Sequence, residues 1–200
     1  MIDLAPTILR AAGAEVPASV QGVSLMPVLA DASAVVRTAA FSEHNWHDYE
    51  AHGRSVRSGG FLYVRNARPA LAWQGPADSV RSASHRALRV ARDGGALSEA
   101  QEDVFLAPRP GEELYRVGDD PQQLRNLVGR AEFEGELERL RGLLDRWQAE
   151  TGDSVPVEVS QDFFDRESGD QLPGKRDEYF RDASGWEKGA TGVNAKGPGV

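Results

Sequence analysis

Apolar residues recur at spacings of four, three, four and three through Phe133, Leu137, Leu140, Leu144 and Trp147, the period of a helix that buries one face. The spacing predicts a helix from about Glu132 to Glu150, ended by Gly152. Upstream the period changes. Arg54-Ser55-Val56-Arg57 and Phe61-Leu62-Tyr63-Val64-Arg65-Asn66 flank Ser58-Gly59-Gly60, the pattern of two strands joined by a tight glycine turn. Glu113 to Val117 reads as a further strand, stopped by the turn residues Gly118-Asp119-Asp120-Pro121. Val35 to Phe41 reads as a strand leading into a polar cluster, Ser42 to Asp48. Near the start, Leu4, Ile8, Leu9 and Ala12 form an apolar stripe behind Asp3 and Pro6, which suit a helix cap and first turn, and Gly13 ends it.

Residues 67–112 break this regularity, being rich in Pro, Gly, Ser and Arg with short helices expected near 87–91 and 98–105; such a stretch inside a domain reads as functional loops or a flexible insertion. From Ser154 onward the chain is polar and Gly-rich. Its isolated aromatics, Phe163, Phe164, Tyr179, Phe180 and Trp186, are expected to pin a meandering tail to a larger body. The elements together predict an α/β fold: a small antiparallel sheet made of the hairpin and the strand at 113–117, covered by the 132–150 helix. Residues 1–40 read as the end of a larger main domain, 41–153 as a C-terminal subdomain, and 154–200 as a tail.

Composition narrows the chemistry. The 200 residues carry no cysteine, which removes disulfides, thiolate metal sites and a cysteine nucleophile from this chain. A net charge of -8 argues against general binding to nucleic acid or to an anionic membrane, both of which need a basic surface. No apolar run approaches the roughly 20 residues that span a bilayer, and the N-terminus lacks the pattern of a signal peptide. The chain is therefore expected to be soluble and untargeted, with any anion site local.

Three motifs in order carry a resemblance. Ile2-Asp3-Leu4-Ala5-Pro6-Thr7-Ile8-Leu9, with Ala12-Gly13 and Gln21-Gly22-Val23-Ser24-Leu25, resembles the helix and loop that follow the second half of the metal site in sulfatases. Glu113-Leu114-Tyr115-Arg116-Val117-Gly118-Asp119-Asp120-Pro121, with Asn126-Leu127, resembles the sulfatase C-terminal signature. Arg54 to Arg57, Phe61 to Asn66 and Trp147-Gln148-Ala149-Glu150-Thr151-Gly152-Asp153 are similar to heparan N-sulfatases. The resemblance covers residues 1–153 and implies the C-terminal portion of an alkaline-phosphatase-like sulfatase. Arg116, Gln123 and Leu62 depart from the family pattern, which usually has an acidic or amide residue, a glutamate and often a lysine at those places.

The resemblance also implies what the parent enzyme needs: a formylglycine made from a Cys/Ser-x-Pro-x-Arg motif beside a calcium ion, a hydrated aldehyde acting as nucleophile on a sulfate neutralised by the cation. Neither a cysteine nor Ser-x-Pro-x-Arg occurs here. The expectation is a chain that binds no cofactor of its own, is not catalytic by itself, and works with a missing N-terminal sulfatase domain on a sulfated glycan. Glu43, His44, Asn45, His47 and Asp48 gather donors and acceptors at a strand end, where binding loops sit on a rigid scaffold. The resemblance implies that His44 or His47, with Asp48 and Arg54, contacts the substrate; an ordinary polar loop and a zinc site stay open as alternatives. Arg54 and Arg57, three apart on a strand, should point to opposite faces. On a helix Arg81, His85, Arg89 and Arg92 would share a face, attractive to a sulfated glycan. Two other functions therefore remain in view: a stand-alone module for anionic glycans, and a part of a related phosphatase or phosphodiesterase.

Overall fold

Alternating side chains on paired strands, closed on one side by the amphipathic helix, organise the molecule. A computed structural model describes residues 2–73, 75–157 and 161–174. Helices α1 (Leu4–Ala11) and α2 (Met26–Ala30) come first. Three strands follow, β1 (Ala39–His47), β2 (Tyr49–Ser58) and β3 (Phe61–Asn66), then short helices α3 (Ala77–Val80), α4 (Ala83–Asp93) and α5 (Glu99–Glu102), strand β4 (Glu112–Arg116) and helix α6 (Glu134–Thr151). The sheet is antiparallel with the order β1-β2-β3-β4. Gly59 and Gly60, at φ +59° and +82°, form the turn between β2 and β3; left-handed backbone at two successive positions suits the twist of a tight hairpin and favours glycine.

Residues opposite one another on neighbouring strands share a face, so the register sorts the sheet. Phe41, Val56, Tyr63 and Leu114 form one row across the four strands. Leu137, Leu140 and Leu144 of α6 lie on that row, and all three are buried. Phe41 stacks on Trp147 at 5.4 Å, and Phe61 meets Phe133 edge-on. Burying each such side chain contributes roughly 1.5–3 kcal/mol, so this contact is the core. Two residues along the strands the same face turns charged, with Glu43, Arg54, Arg65 and Glu112 in register. Arg65 bonds Asp145 and Gln148 of α6, and Arg141 grips the Glu112 carboxylate with both Nε and Nη2.

The C-terminal side of the sheet is tied off as the turn residues predict. Asp120 accepts the N–H groups of Leu124 and Arg125, and these bonds hold its carboxyl below the usual range although burial opposes them. Asn126 and Leu127 then cap the β4 edge: Asn126 bonds the backbone of Glu112 and Leu114, and Leu127 N–H bonds the Leu114 carbonyl.

Three local expectations are corrected. The Ser42–Asp48 cluster is not a loop, because β1 runs through it to His47 and turns tightly at Asp48, which sits at φ +65°; pairing with β2 satisfies its backbone. Asp3 does not cap α1 with its side chain: its carboxylate takes the Val23 N–H and an ion pair to Arg37, tying the first helix to the loop behind it. Phe163 packs on this chain's own sheet. It is buried against Trp46, its N–H bonds the Asp48 carbonyl, and Asp162 holds both the Glu50 N–H and Arg166. Tyr179, Phe180 and Trp186 lie outside the described residues. The apolar stripe of α1 does stand open, with Ile2, Leu4 and Ile8 exposed alongside Leu29 of α2 and Val35.

Candidate functional site

The β1–β2 end of the sheet gathers most of the residues singled out from the sequence. On the α6 face, Arg54 is 3% exposed. Its Nε and Nη2 bond the two oxygens of Asp153 at 2.8 and 2.6 Å, and its Nη1 bonds the Gly53 carbonyl. Gly152, left-handed at φ 69°, ends α6 and turns Asp153 down onto the sheet, and Gln148 adds a third donor to the same carboxylate. Burial pushes the Asp153 carboxyl up, but the Arg54 and Gln148 bonds and the Arg54 charge outweigh it and hold the group below its ordinary value. Arg54 is thus a strut between β2 and the end of α6, with Glu43 3.9 Å away. Arg57 is exposed on the opposite face, as the three-residue spacing requires.

His44 lies on that opposite face, in register with Gly53 and Asn66. Its side chain is exposed, and its pKa is lowered, first by local desolvation and then by the charges of His47 and Arg54. His47 is exposed at the last position of β1. Asp48 turns away from both: its Oδ2 accepts the Ala77 N–H at the start of α3, and its carbonyl accepts Phe163 N–H. The structure therefore places His44 and His47 exposed on β1, ties Arg54 into the opposite, α6 face, and gives Asp48 to the support of the hairpin tip.

Several residues that the sequence did not single out complete the site. Glu113, Arg109, Asn66 and Tyr115 form a buried network beneath the 67–110 segment: Arg109 bridges Glu113 and Asp103, while Asn66 Nδ2 and the Tyr115 hydroxyl donate to Glu113. The Arg109 guanidinium also lies 4.9 Å from the centre of the Trp73 ring, and His44 meets that ring edge-on at 6.1 Å. His52 is buried with its Nε2 unbonded, and burial followed by the Arg54 charge lowers its pKa. Only Trp73, a large aromatic in a Pro- and Gly-rich stretch, left a trace in the sequence. Asn66, Glu113, Tyr115 and His52 look like any strand residue until the register is known, and Arg109 like any loop arginine.

The basic stripe does not survive folding. Arg81 ends α3, and the Ser82 hydroxyl accepts the His85 N–H to start α4 afresh. His85 is turned inward against Phe105, Arg89 bonds the Val80 carbonyl, and Arg92 is held by Glu167 through two bonds. A helix break and an acidic partner supplied by residues 161–174 have converted a repeating charge pattern into internal contacts.

Among the described residues no three His, Asp or Glu side chains converge in a way that could hold a metal ion. Among them, also, no helix is long and apolar enough to cross a membrane.

No family model matches the chain. It is 30% identical over 162 residues to an ulvan-active sulfatase of Formosa agariphila, covering 80% of this chain and 27% of that protein. An N-acetylglucosamine-6-O-sulfatase of Bacteroides thetaiotaomicron is 27% identical over 160 residues, covering 78% and 22%. In structure, a putative sulfatase from Bacteroides thetaiotaomicron superposes with a TM-score of 0.52 at 23% identity, over 87% of this chain and 31% of the other. With the sheet and covering helix in place, the chain belongs to the sulfatase family, as a C-terminal part of the alkaline-phosphatase-like fold. It spans about a quarter of the length of the curated relatives it matches, 27% and 22% of those two.

Proposed function

We propose that this chain is the C-terminal portion of a sulfatase acting on sulfated glycans, and that it supplies one wall of the substrate cleft without catalysing by itself. The observation that carries the reading is the similarity to an ulvan-active sulfatase over 80% of this chain but only 27% of that relative, in a sequence with neither cysteine nor Ser-x-Pro-x-Arg. Without a formylglycine precursor no covalent route opens. The finer reading is a heparan N-sulfatase-like enzyme acting on a sulfated amino sugar, with a missing N-terminal domain providing nucleophile and cation. It is supported by the motifs at 54–66 and 147–153 and by His44, exposed on the face away from α6, an imidazole placed to hydrogen-bond a sugar substituent. The dismantled Arg81–Arg92 stripe leaves the stand-alone anion-binding module without its main support.

The test is turnover of a chromogenic sulfate ester and of an N-sulfated glucosamine by the purified chain, with and without calcium, and again with the N-terminal half of a sulfatase supplied in trans. Activity is expected only in the second case. Calcium-dependent turnover that follows the chain alone through purification would sink the reading.

A further inference from the structure

Trp73 sits at the end of the His44, Gly53, Asn66 row, on the face of the sheet turned away from α6. A Cβ placed on Gly53 would come within 3.0 Å of Trp73 Cζ2, so the absence of a side chain there lets the benzo edge of the indole pack against the strand. Arg109 holds it from one side and His44 meets it edge-on. Held in this way, Trp73 still leaves 37% of its surface to solvent. Beside it is Asn66, 6% exposed, whose Oδ1 has no donor although its Nδ2 is used by Pro110 and Glu113. That oxygen lies 3.9 Å from the same Gly53 Cβ position, under the edge of the indole. A fixed aromatic, 37% exposed, with Arg109 over its ring and an exposed imidazole at its edge, matches a ligand with an apolar C–H face and polar substituents around it. A pyranose ring has both: its axial C–H groups complement the negative face of an indole, and its hydroxyl or amide groups can donate.

We propose that Trp73, flanked by His44 and Asn66, is a stacking platform for a sugar ring of the glycan, recognising the sugar itself and not its sulfate. This inference rests on the sulfatase reading above and deepens it. His44, exposed at the edge of the ring, bonds a hydroxyl or amide substituent of the stacked sugar, while Asn66 lies enclosed beneath and supports the site.

Saturation-transfer NMR and titration of the full 200-residue chain with the methyl glycosides of N-sulfoglucosamine and of unsulfated N-acetylglucosamine test it. Both sugars are expected to bind, with saturation strongest on ring C–H protons. Trp73→Leu, which keeps bulk over Gly53 but removes the π face, should weaken both by about tenfold, and Trp73→Phe should retain most of the binding. Unchanged binding by Trp73→Leu overturns the platform. So does binding of the sulfated sugar alone in competition with inorganic sulfate, which would make the contact one of charge, and so does absence of any saturation with the wild-type chain. In a reconstituted sulfatase, Trp73→Leu should raise KM by a similar factor with kcat little changed. Intact turnover with an unaltered KM would keep the sulfatase reading and lose the platform. No turnover at all would remove the sulfatase reading and leave the NMR result to decide the platform.

Discussion

The two faces of the sheet are covered by different means. Under α6, the row Phe41, Val56, Tyr63, Leu114 meets a continuous helical stripe, and the contact closes with leucines and aromatic stacking. On the other face, Val64 and Tyr115 are buried beside Glu113, Asn66 and Arg109, beneath a segment with short helices and no long apolar face. Along that row the first side needs only area, its ion pairs lying two residues further along the strands. The other needs each polar group placed, and it leaves Asn66 Oδ1 unbonded. A buried ion pair such as Arg109–Glu113 is weak evidence for stability, since well-packed apolar residues often do as well, whereas Arg109, held by that network, fixes where Trp73 stands. The first face holds the domain together, and the second shapes its surface.

That contrast can be broken in several ways. The largest effect is expected from Leu140→Asp, which places a charge without a partner in a fully buried position on α6 and should cost about 4–5 kcal/mol and give insoluble protein; a soluble variant with a wild-type chemical melt would defeat the placement of the helix. Arg109→Leu comes next. It strands the Glu113 carboxylate, 3% exposed, and should lower unfolding free energy by about 3 kcal/mol. Recovery of that loss in the double variant Arg109→Leu, Glu113→Gln would show the cost to be the orphaned charge and not the lost packing.

A smaller effect belongs to pH. His44, His52 and His85 are all held below the ordinary value of 6.5, burial being the first cause in each. Depressed folded pKa values mean that the unfolded chain takes up protons first as the solution is acidified. Their contribution is complete above pH 6.5 and declines as pH falls below it, so thermal melts should drop steadily between pH 7 and 5. The carboxyls of Asp153 and Glu112, held below their usual range, keep their contribution to lower pH. A flat melting temperature across pH 7 to 5 would contradict the burial of His52 and His85. The smallest change is expected from His47→Ala, an exposed side chain, within about 0.5 kcal/mol in stability, with any loss appearing as a raised KM on N-sulfated glucosamine in a reconstituted enzyme.

The long helix was legible because its period lies entirely within one segment: Phe133 to Trp147 carry the core face whatever they pack on. The β2–β3 hairpin was legible for the same reason, since Gly59 and Gly60 encode their turn locally. The polar cluster at 42–48 was harder to read, because a strand whose side chains are solvated looks like a loop until a partner strand takes its backbone bonds. The basic stripe misled for a related reason. Spacing alone does not show the restart at Ser82 or the arrival of Glu167 from 75 residues away.

The chain by itself determined its long helix and its hairpin, its exclusion of thiol chemistry and its membership of the sulfatase family, all of which follow from local pattern, composition or motifs in order. Only the tertiary structure decided which polar residues meet. Asp153 reaches Arg54 across 99 residues, and Trp73 rests on Gly53 because the 67–110 segment folds back over the sheet. Periodicity records which face of an element is apolar; which charge finds which partner depends on register and on loops, and those are settled when distant segments pack.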